Sequence, residues 1–381
     1  MKHFLSFTSK ALAAFLCFLI AQSTFSQDLE QVLKNTDAAS LMVQINLGRE
    51  LGKQEEKKKG IKILQQALRQ STRLKGGYLT ETVQSELAVA FAELGDLSMP
   101  RTILAGITDI GIRVRTLCAV APKTWPQQKE LGMGMLEEAM MLTRGKAKPQ
   151  DKLFFCLEIS GSYLEMGQRK AAALLLEDVE KITVGLQEKA NPETKTRLWT
   201  SLGAQYFVLD RKEKSAICFD RAVKEANLML NPYDKAQQLA YIGGEMARAQ
   251  LLEQAMEVLG QALEVSESIT AKTNQENVRS DIARSIGEAG QFDNAKLLTA
   301  SIGDHKYRSD AQLQLLNRMI QQQQLGNLSY LEETEASVKQ IEDQLVQFLQ
   351  LIRLAALYHE AQHNEKAQLI LQNVKERHEN F

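Results

Sequence analysis

The sequence predicts an all-α solenoid of stacked helix pairs, and three observations carry that prediction. Residues 60–113 recur at residues 255–308 with no gap in either copy and an offset of 195, and fifteen of the 54 aligned positions are identical. Fixed-period self-similarity marks an array in which each unit buries its apolar face only against its neighbours. Composition favours helix over sheet, with only 6 prolines and 6% aromatics among abundant Ala, Leu, Gln, Glu and Lys. No alternating β-branched run with hairpin turns interrupts it. At 381 residues the chain is too long for one compact core, so two domains or one elongated array is expected.

The first element is not part of that fold. Lys2, His3 and Lys10 form a basic region, and Ala11 to Ala21 is almost unbroken apolar. Small residues at Thr24 and Ser26 complete a signal-peptide pattern over residues 1–26, with a mature start at Gln27 and the array over 27–381. The apolar stretch is about half the ~20 residues a bilayer span needs. The expectation is export, periplasmic or secreted, with no membrane insertion after cleavage.

Charge excludes two classes of partner. The chain carries 46 basic and 47 acidic residues, and loss of Lys2 and Lys10 leaves 44 against 47, or −3. Both signs are interspersed, which leaves no footprint for nucleic acid or an anionic membrane. The run Lys57-Lys58-Lys59 follows Glu55-Glu56 and reads as a solvated edge of a helix turn. Three cysteines remain after cleavage: Cys118, Cys156 and Cys218. An odd number without Cys-x-x-Cys spacing fits buried thiols rather than a disulfide framework or zinc site.

The repeating unit opens with a large–small pair. It reads Leu47-Gly48, Leu87-Ala88, Ile159-Ser160, Leu202-Gly203, Ile242-Gly243, Ile282-Ala283 and Leu354-Ala355. Three residues on comes Leu51, Phe91, Tyr163, Tyr206, Met246, Ile286 or Tyr358. A second small residue follows at Gly60, Ala172, Ser215, Ala255, Ala295 or Ala367, with Pro100 and, further along, Thr299 as interruptions. Gly95-Asp96, Gly167-Gln168 and Gly290-Gln291 punctuate the turns between paired helices. Tyr163-x-Glu165 and Tyr358-x-Glu360 continue the offset of 195. Spacings between the small residues are 40, 72, 43, 40, 40 and 72, so each 72 holds one degenerate unit, near 117–142 and 312–338.

Trp199-x-x-Leu202-Gly203-x-x-Tyr206, followed by Ser215, Phe219 and Ala222, resembles the tetratricopeptide repeat. The resemblance implies a right-handed α-α superhelix of about nine helix pairs. It also implies a protein or peptide partner held in a helical groove. The period near 40 departs from the family's 34, so second helices or connectors are longer. Ala105-x-Ile107-x-Asp109-x3-Arg113 and its twin Ala300-x-Ile302-x-Asp304-x3-Arg308 read as connectors, the aspartate capping the next helix and the arginine pairing on its first turn.

One catalytic pattern competes. His359-Glu360-Ala361-Gln362-His363 spells the helical zinc-hydrolase motif, which needs both imidazoles on one helix face. Repeat register explains it better, because Gln362 falls where Gly167 and Gly290 end their helices. No phosphate-binding loop, dinucleotide fingerprint or nucleophile elbow is present in the sequence. The chain is therefore read as a non-enzymatic interaction scaffold with no cofactor and no metal. The alternatives are a self-associating envelope component and a hydrolase built on His359 and His363. If first helices line the concave side, Leu164, Phe207, Arg284 and His359 are the candidate partner contacts, within columns dominated by small and apolar residues.

Overall fold

A computed structural model describes residues 35–54, 56–75, 77–186, 190–323 and 328–381. The expected signal peptide over residues 1–26 lies outside them. Eighteen α-helices and no strand occur among the described residues. In chain order they are α1 Thr36–Lys53, α2 Lys57–Ser71, α3 Gly77–Glu93, α4 Ser98–Gly106, α5 Ile110–Thr124 and α6 Lys129–Gly145. Next come α7 Pro149–Glu165, α8 Arg169–Gly185, α9 Pro192–Val208, α10 Lys212–Asn227, α11 Pro232–Arg248 and α12 Leu252–Glu267. The last six are α13 Lys272–Glu288, α14 Phe292–Ala300, α15 His305–Gln321, α16 Leu328–Lys339, α17 Gln344–Glu360 and α18 Asn364–Glu379. They make nine pairs, each an odd-numbered first helix and an even-numbered second helix.

The helices group into two compact units, divided near residue 185 except that residues 208–210 go with the first. In the first unit α1, α3, α5 and α7 lie side by side, and each packs on its own second helix. In the second unit α11, α13, α15 and α17 do the same. Within each unit, second helices touch the first helix of the following pair, as α2 touches α3 and α12 touches α13. This neighbour-only packing is what a tetratricopeptide-like array requires.

Local chemistry explains where the helices start and stop. Asn35, Asp109, Asn231, Asp304 and Asp343 each accept a backbone N–H from the helix that follows. Such caps contribute about 1 kcal/mol each. Turns inside pairs use the left-handed region at one recurring place. Gly95, Gly167 and Gly290 hold it at φ +71°, +73° and +76°, as their sequence positions predict. Asp210, Gln250, Gln323 and Gln362 hold the same conformation without glycine's freedom.

The small residues sit where the paired helices cross. A Cβ on Gly203 would stand 3.0 Å from the Phe219 ring, and Ser215 Oγ donates to the Gly203 carbonyl at 2.8 Å. A Cβ on Gly243 would stand 2.6 Å from Leu259 Cγ and 3.3 Å from the Ala255 carbonyl oxygen. Ala172, Ala255, Ala295 and Ala367 are wholly buried beneath these crossings. Thr299, the sequence interruption, is buried but donates to the Ala295 carbonyl at 2.8 Å, so its hydroxyl is not left unmatched. Cys118 and Cys218 are buried, and Cys156 is half-buried, all as free thiols.

The connectors behave alike in both copies, with one departure from expectation. Asp109 and Asp304 cap α5 and α15. Glu81 accepts the Asp109 N–H at 2.8 Å, and Glu276 accepts the N–H groups of Gly303 and Asp304 at 3.1 and 3.0 Å. The arginines do not pair on the first turn of their own helix. Arg113 reaches Glu138 on α6, and Arg308 Nε donates to the Ile302 carbonyl at 2.7 Å. Neither α5 nor α15 carries an acid in its first turn, so each arginine takes a partner elsewhere.

Candidate functional site

Side-by-side first helices in the second unit present a row of polar side chains, half-buried except for the exposed Arg353 at its end. On α11, Tyr233 Oη accepts from Asn277 Nδ2 of α13 at 3.0 Å and lies 3.4 Å from Gln237 Nε2. Gln237 is also hydrogen-bonded to Asp281, which pairs with Arg284 at 3.1 Å. Across on α15, Gln314 donates to Asp310 at 3.2 Å, and Asp310 pairs with Arg353 of α17 at 2.6 Å. Hydrogen bonds and ion pairs thus join α11 to α13 and α15 to α17, and the charges of Asp281 and Arg284 act on Asp310 between them.

Electrostatics separate the two carboxylates of the row. Burial raises the Asp281 carboxyl above its usual range, Arg284 opposes that, and the neighbouring charge of Asp310 adds to it. Burial pushes Asp310 the same way, but Arg353 and Arg284 outweigh it and hold Asp310 below the usual range. Burial and the Glu245 charge push the Tyr241 phenol far up, so it stays neutral.

Beneath the row runs a buried ladder. Arg248 bonds Glu245 on its own helix and Glu288 of α13 at 3.0 Å, and Glu288 also meets Arg318 of α15 at 3.3 Å. Burial disfavours the charged form of Glu288, yet Arg248 and Arg318 hold it below the carboxylate range. For Glu245 burial wins and its carboxyl is raised. The same register carries Glu50, Lys53, Glu93 and Lys123 in the first unit, all at the offset of 195. There Lys53 meets Glu50 and Glu93 at 3.2 and 3.3 Å, and Arg49 meets Glu86 and Glu93 at 3.1 and 3.3 Å.

The outer row recurs only in its charges, since Asp281, Asp310 and Arg353 have Glu86, Arg115 and Glu158 as twins, the last two with reversed sign. At the positions of Tyr233, Gln237, Tyr241, Asn277 and Arg284 the first copy has Ala38, Met42, Asn46, Thr82 and Val89. Sequence reasoning passed over this row because it followed the small residues one helical step away. Those small residues serve packing: a Cβ on Gly244 would meet Ser285 Oγ at 2.7 Å, and one on Gly287 would meet Leu315 at 2.7 Å. Subtracting one copy from the other was the signal that could have found the row.

The four residues expected to contact a partner fall in different settings. Arg284 joins the row. Leu164 is 6% exposed and packs with Ala172, Tyr163, Val208 and Leu209, which makes it core rather than open surface. Phe207 is half-buried near the end of α9. His359, also half-buried, has Nδ1 2.7 Å from Asn364 Oδ1.

The zinc-hydrolase geometry does not form. α17 ends at Glu360, Gln362 takes φ +66°, and His363 precedes α18 with its ring edge-on to Tyr358. The two imidazoles therefore share no helix face. No group of three metal-ligating side chains occurs among the described residues. No described helix is long and apolar enough to cross a membrane.

No protein-family model and no curated protein matches the chain. Among solved structures it is similar to a Rap protein complexed with competence and sporulation factor, at TM-score 0.40 and 12% identity, over 89% of this chain and 99% of that one. Ton1535 from Thermococcus onnurineus NA1 gives TM-score 0.27 and 13% identity over 76% and 94%. A circular tandem repeat protein with novel repeat topology gives 0.24 and 14% over 98% and 96%. At such scores the likeness assigns no ligand. Helix packing and register define this chain as a tetratricopeptide-like array of helix pairs.

Proposed function

We propose that this protein is an exported, non-enzymatic scaffold that binds a protein or peptide partner along the row from Tyr233 to Arg353. The observation that supports this most is the contrast between copies. Glu93 and Glu288, with their cationic neighbours, recur as a packing ladder, whereas Tyr233, Gln237 and Arg284 of the outer row have the apolar twins Ala38, Met42 and Val89 in the first unit. Packing does not call for them in both places. Side-chain amides donate and accept together, which matches the alternating N–H and C=O groups of a bound backbone. The export reading rests on the N-terminal sequence and predicts a mature protein beginning at Gln27.

Capture of partners from the native source tests the reading. Gln237→Ala, Asn277→Ala and Arg284→Ala together should remove the partner that the wild type retains, with circular dichroism unchanged. Changes to polar residues of the same register in the first copy, Asn46→Ala and Thr82→Ala at the positions of Tyr241 and Asn277, should leave capture intact. Retention by the first variant, or equal loss by the second, would place the binding surface elsewhere.

A further inference from the structure

A second polar feature lies in the first unit, apart from the row and independent of the proposal made for it. An open hollow of about 690 Å³ is bounded by the turns of the first three helix pairs. Its rim carries Lys57, Ser98, Arg101, Thr102 and Gln127, over Leu97 and Leu131. Lys57 Nζ and Gln127 Nε2 converge, each 3.3 Å from the point a Cβ on Gly95 would occupy. Gly95 has φ +71°, so no side chain fills that point.

The donors outnumber the acceptors. Asp96 is the acidic residue at the hollow, and its Oδ1 already receives Ser98 N, Ser98 Oγ and Met99 N at 3.2, 2.7 and 3.3 Å. Lys57 and Arg101 form no ion pair among the described residues. Two unpaired cations of different reach, with the Gln127 amide between them, suit an oxygen anion through charge-assisted hydrogen bonds.

The second copy supplies an internal control. At the offset of 195, Lys57 becomes Leu252 and Thr102 becomes Leu297, and both leucines are exposed. Arg101 becomes Lys296, whose ammonium lies 4.9 Å over the Tyr330 ring. A Cβ on Gly290, the twin of Gly95, would meet nothing within 4 Å. The turn geometry therefore stands without these donors.

We infer that the hollow at Lys57, Arg101 and Gln127 is a binding site for a small oxyanion, a carboxylate or a phosphate group. Calorimetric titration of the full chain with inorganic phosphate and, separately, with succinate tests it. At least one should saturate at one equivalent, and which one does names the source. Lys57→Leu with Thr102→Leu, the residues of the second copy, should weaken that binding by about tenfold or more, the worth of one charge-assisted contact. Arg101→Leu should do the same, and Lys296→Leu should change nothing. Helicity should be equal in all variants. No saturation with either anion overturns the inference. So does binding that survives both the Lys57 and Arg101 changes.

Discussion

The two copies of the internal duplication use one frame to different ends, and position by position they separate packing from recognition. In both, a carboxylate on the first helix of one pair, Glu93 or Glu288, meets a cation from the preceding pair, Lys53 or Arg248. In both, Glu81 or Glu276 holds the connector backbone, and a nine-residue second helix, α4 or α14, precedes it. What recurs is the chemistry of stacking. What differs lies outside the core: half-buried amides and an arginine on the second copy's first helices, an exposed lysine and threonine at the first copy's turns. A shared fold with unshared surface is the expected outcome when sites are grafted onto a stable array.

Depth of burial sets the largest expected difference between the copies. Arg248 and Glu288 have side chains only 7% and 6% exposed, whereas Lys53 is 45% exposed and Glu93 21%. Glu288→Ala leaves a buried guanidinium without its partner from α13 and should cost about 3–5 kcal/mol. Glu93→Ala leaves Lys53 able to reach water and Arg49 still paired with Glu86, and should cost less, about 1–2 kcal/mol. Urea unfolding of the two variants measures this, and equal losses would dissolve the distinction between the ladders.

Next in size is the helix crossing. Gly48 and Gly243 are twins, and a Cβ would come within 3.1 Å of the Gly60 carbonyl oxygen in one and 2.6 Å of Leu259 in the other. Leucine at either position should lower stability by about 1–3 kcal/mol through overpacking. An unchanged melting temperature in Gly243→Leu would show that the crossing lies elsewhere.

Acid should act on both ladders with the same sign. The carboxyls of Glu288 and Glu93 are held below their ordinary values, by Arg248 and by Arg49 against the opposing effect of burial. Each therefore stabilises the fold above the unfolded value of about 4.3, and that contribution disappears as pH falls through the depressed folded value. Stability measured from pH 6 to 3 should fall less steeply in Glu288→Gln than in the wild type. A parallel pair of curves would remove Glu288 as the cause.

The smallest effect concerns the turns. Gly290 and Gln250 share the left-handed conformation, at φ +76° and +63°. Gln250→Gly should be neutral or stabilising by a few tenths of a kcal/mol up to about 1, and Gly290→Ala destabilising by about 1. Thermal melts of the pair resolve the opposite signs.

Most of the fold was legible in the sequence because stacking leaves a periodic trace. Leu202-Gly203 and Ile242-Gly243 announce the crossings, Gly95, Gly167 and Gly290 announce the turns, and Asp109 and Asp304 announce the caps. Each is a local requirement that repeats with the unit, so spacing alone locates it. His363 was placed outside its helix by the same reasoning, and the break after Glu360 puts it there.

Contacts between pairs left no such trace. Leu164 reads as a groove residue by register but is covered by Val208 and Leu209. Gly244 and Gly287 read as an apolar surface but mark where neighbouring first helices come close. Which side chains face one another across helices, as Asp310 faces Arg353 from 43 residues away at 2.6 Å, depends on rotation and approach between pairs. The sequence alone determined the helix pairs, their number and their turns, because those follow from hydrophobic period and backbone conformation. Only the tertiary structure decided which polar residues join into a row and which pair off inside, because both outcomes use the same residue types and differ only in the distance between helices.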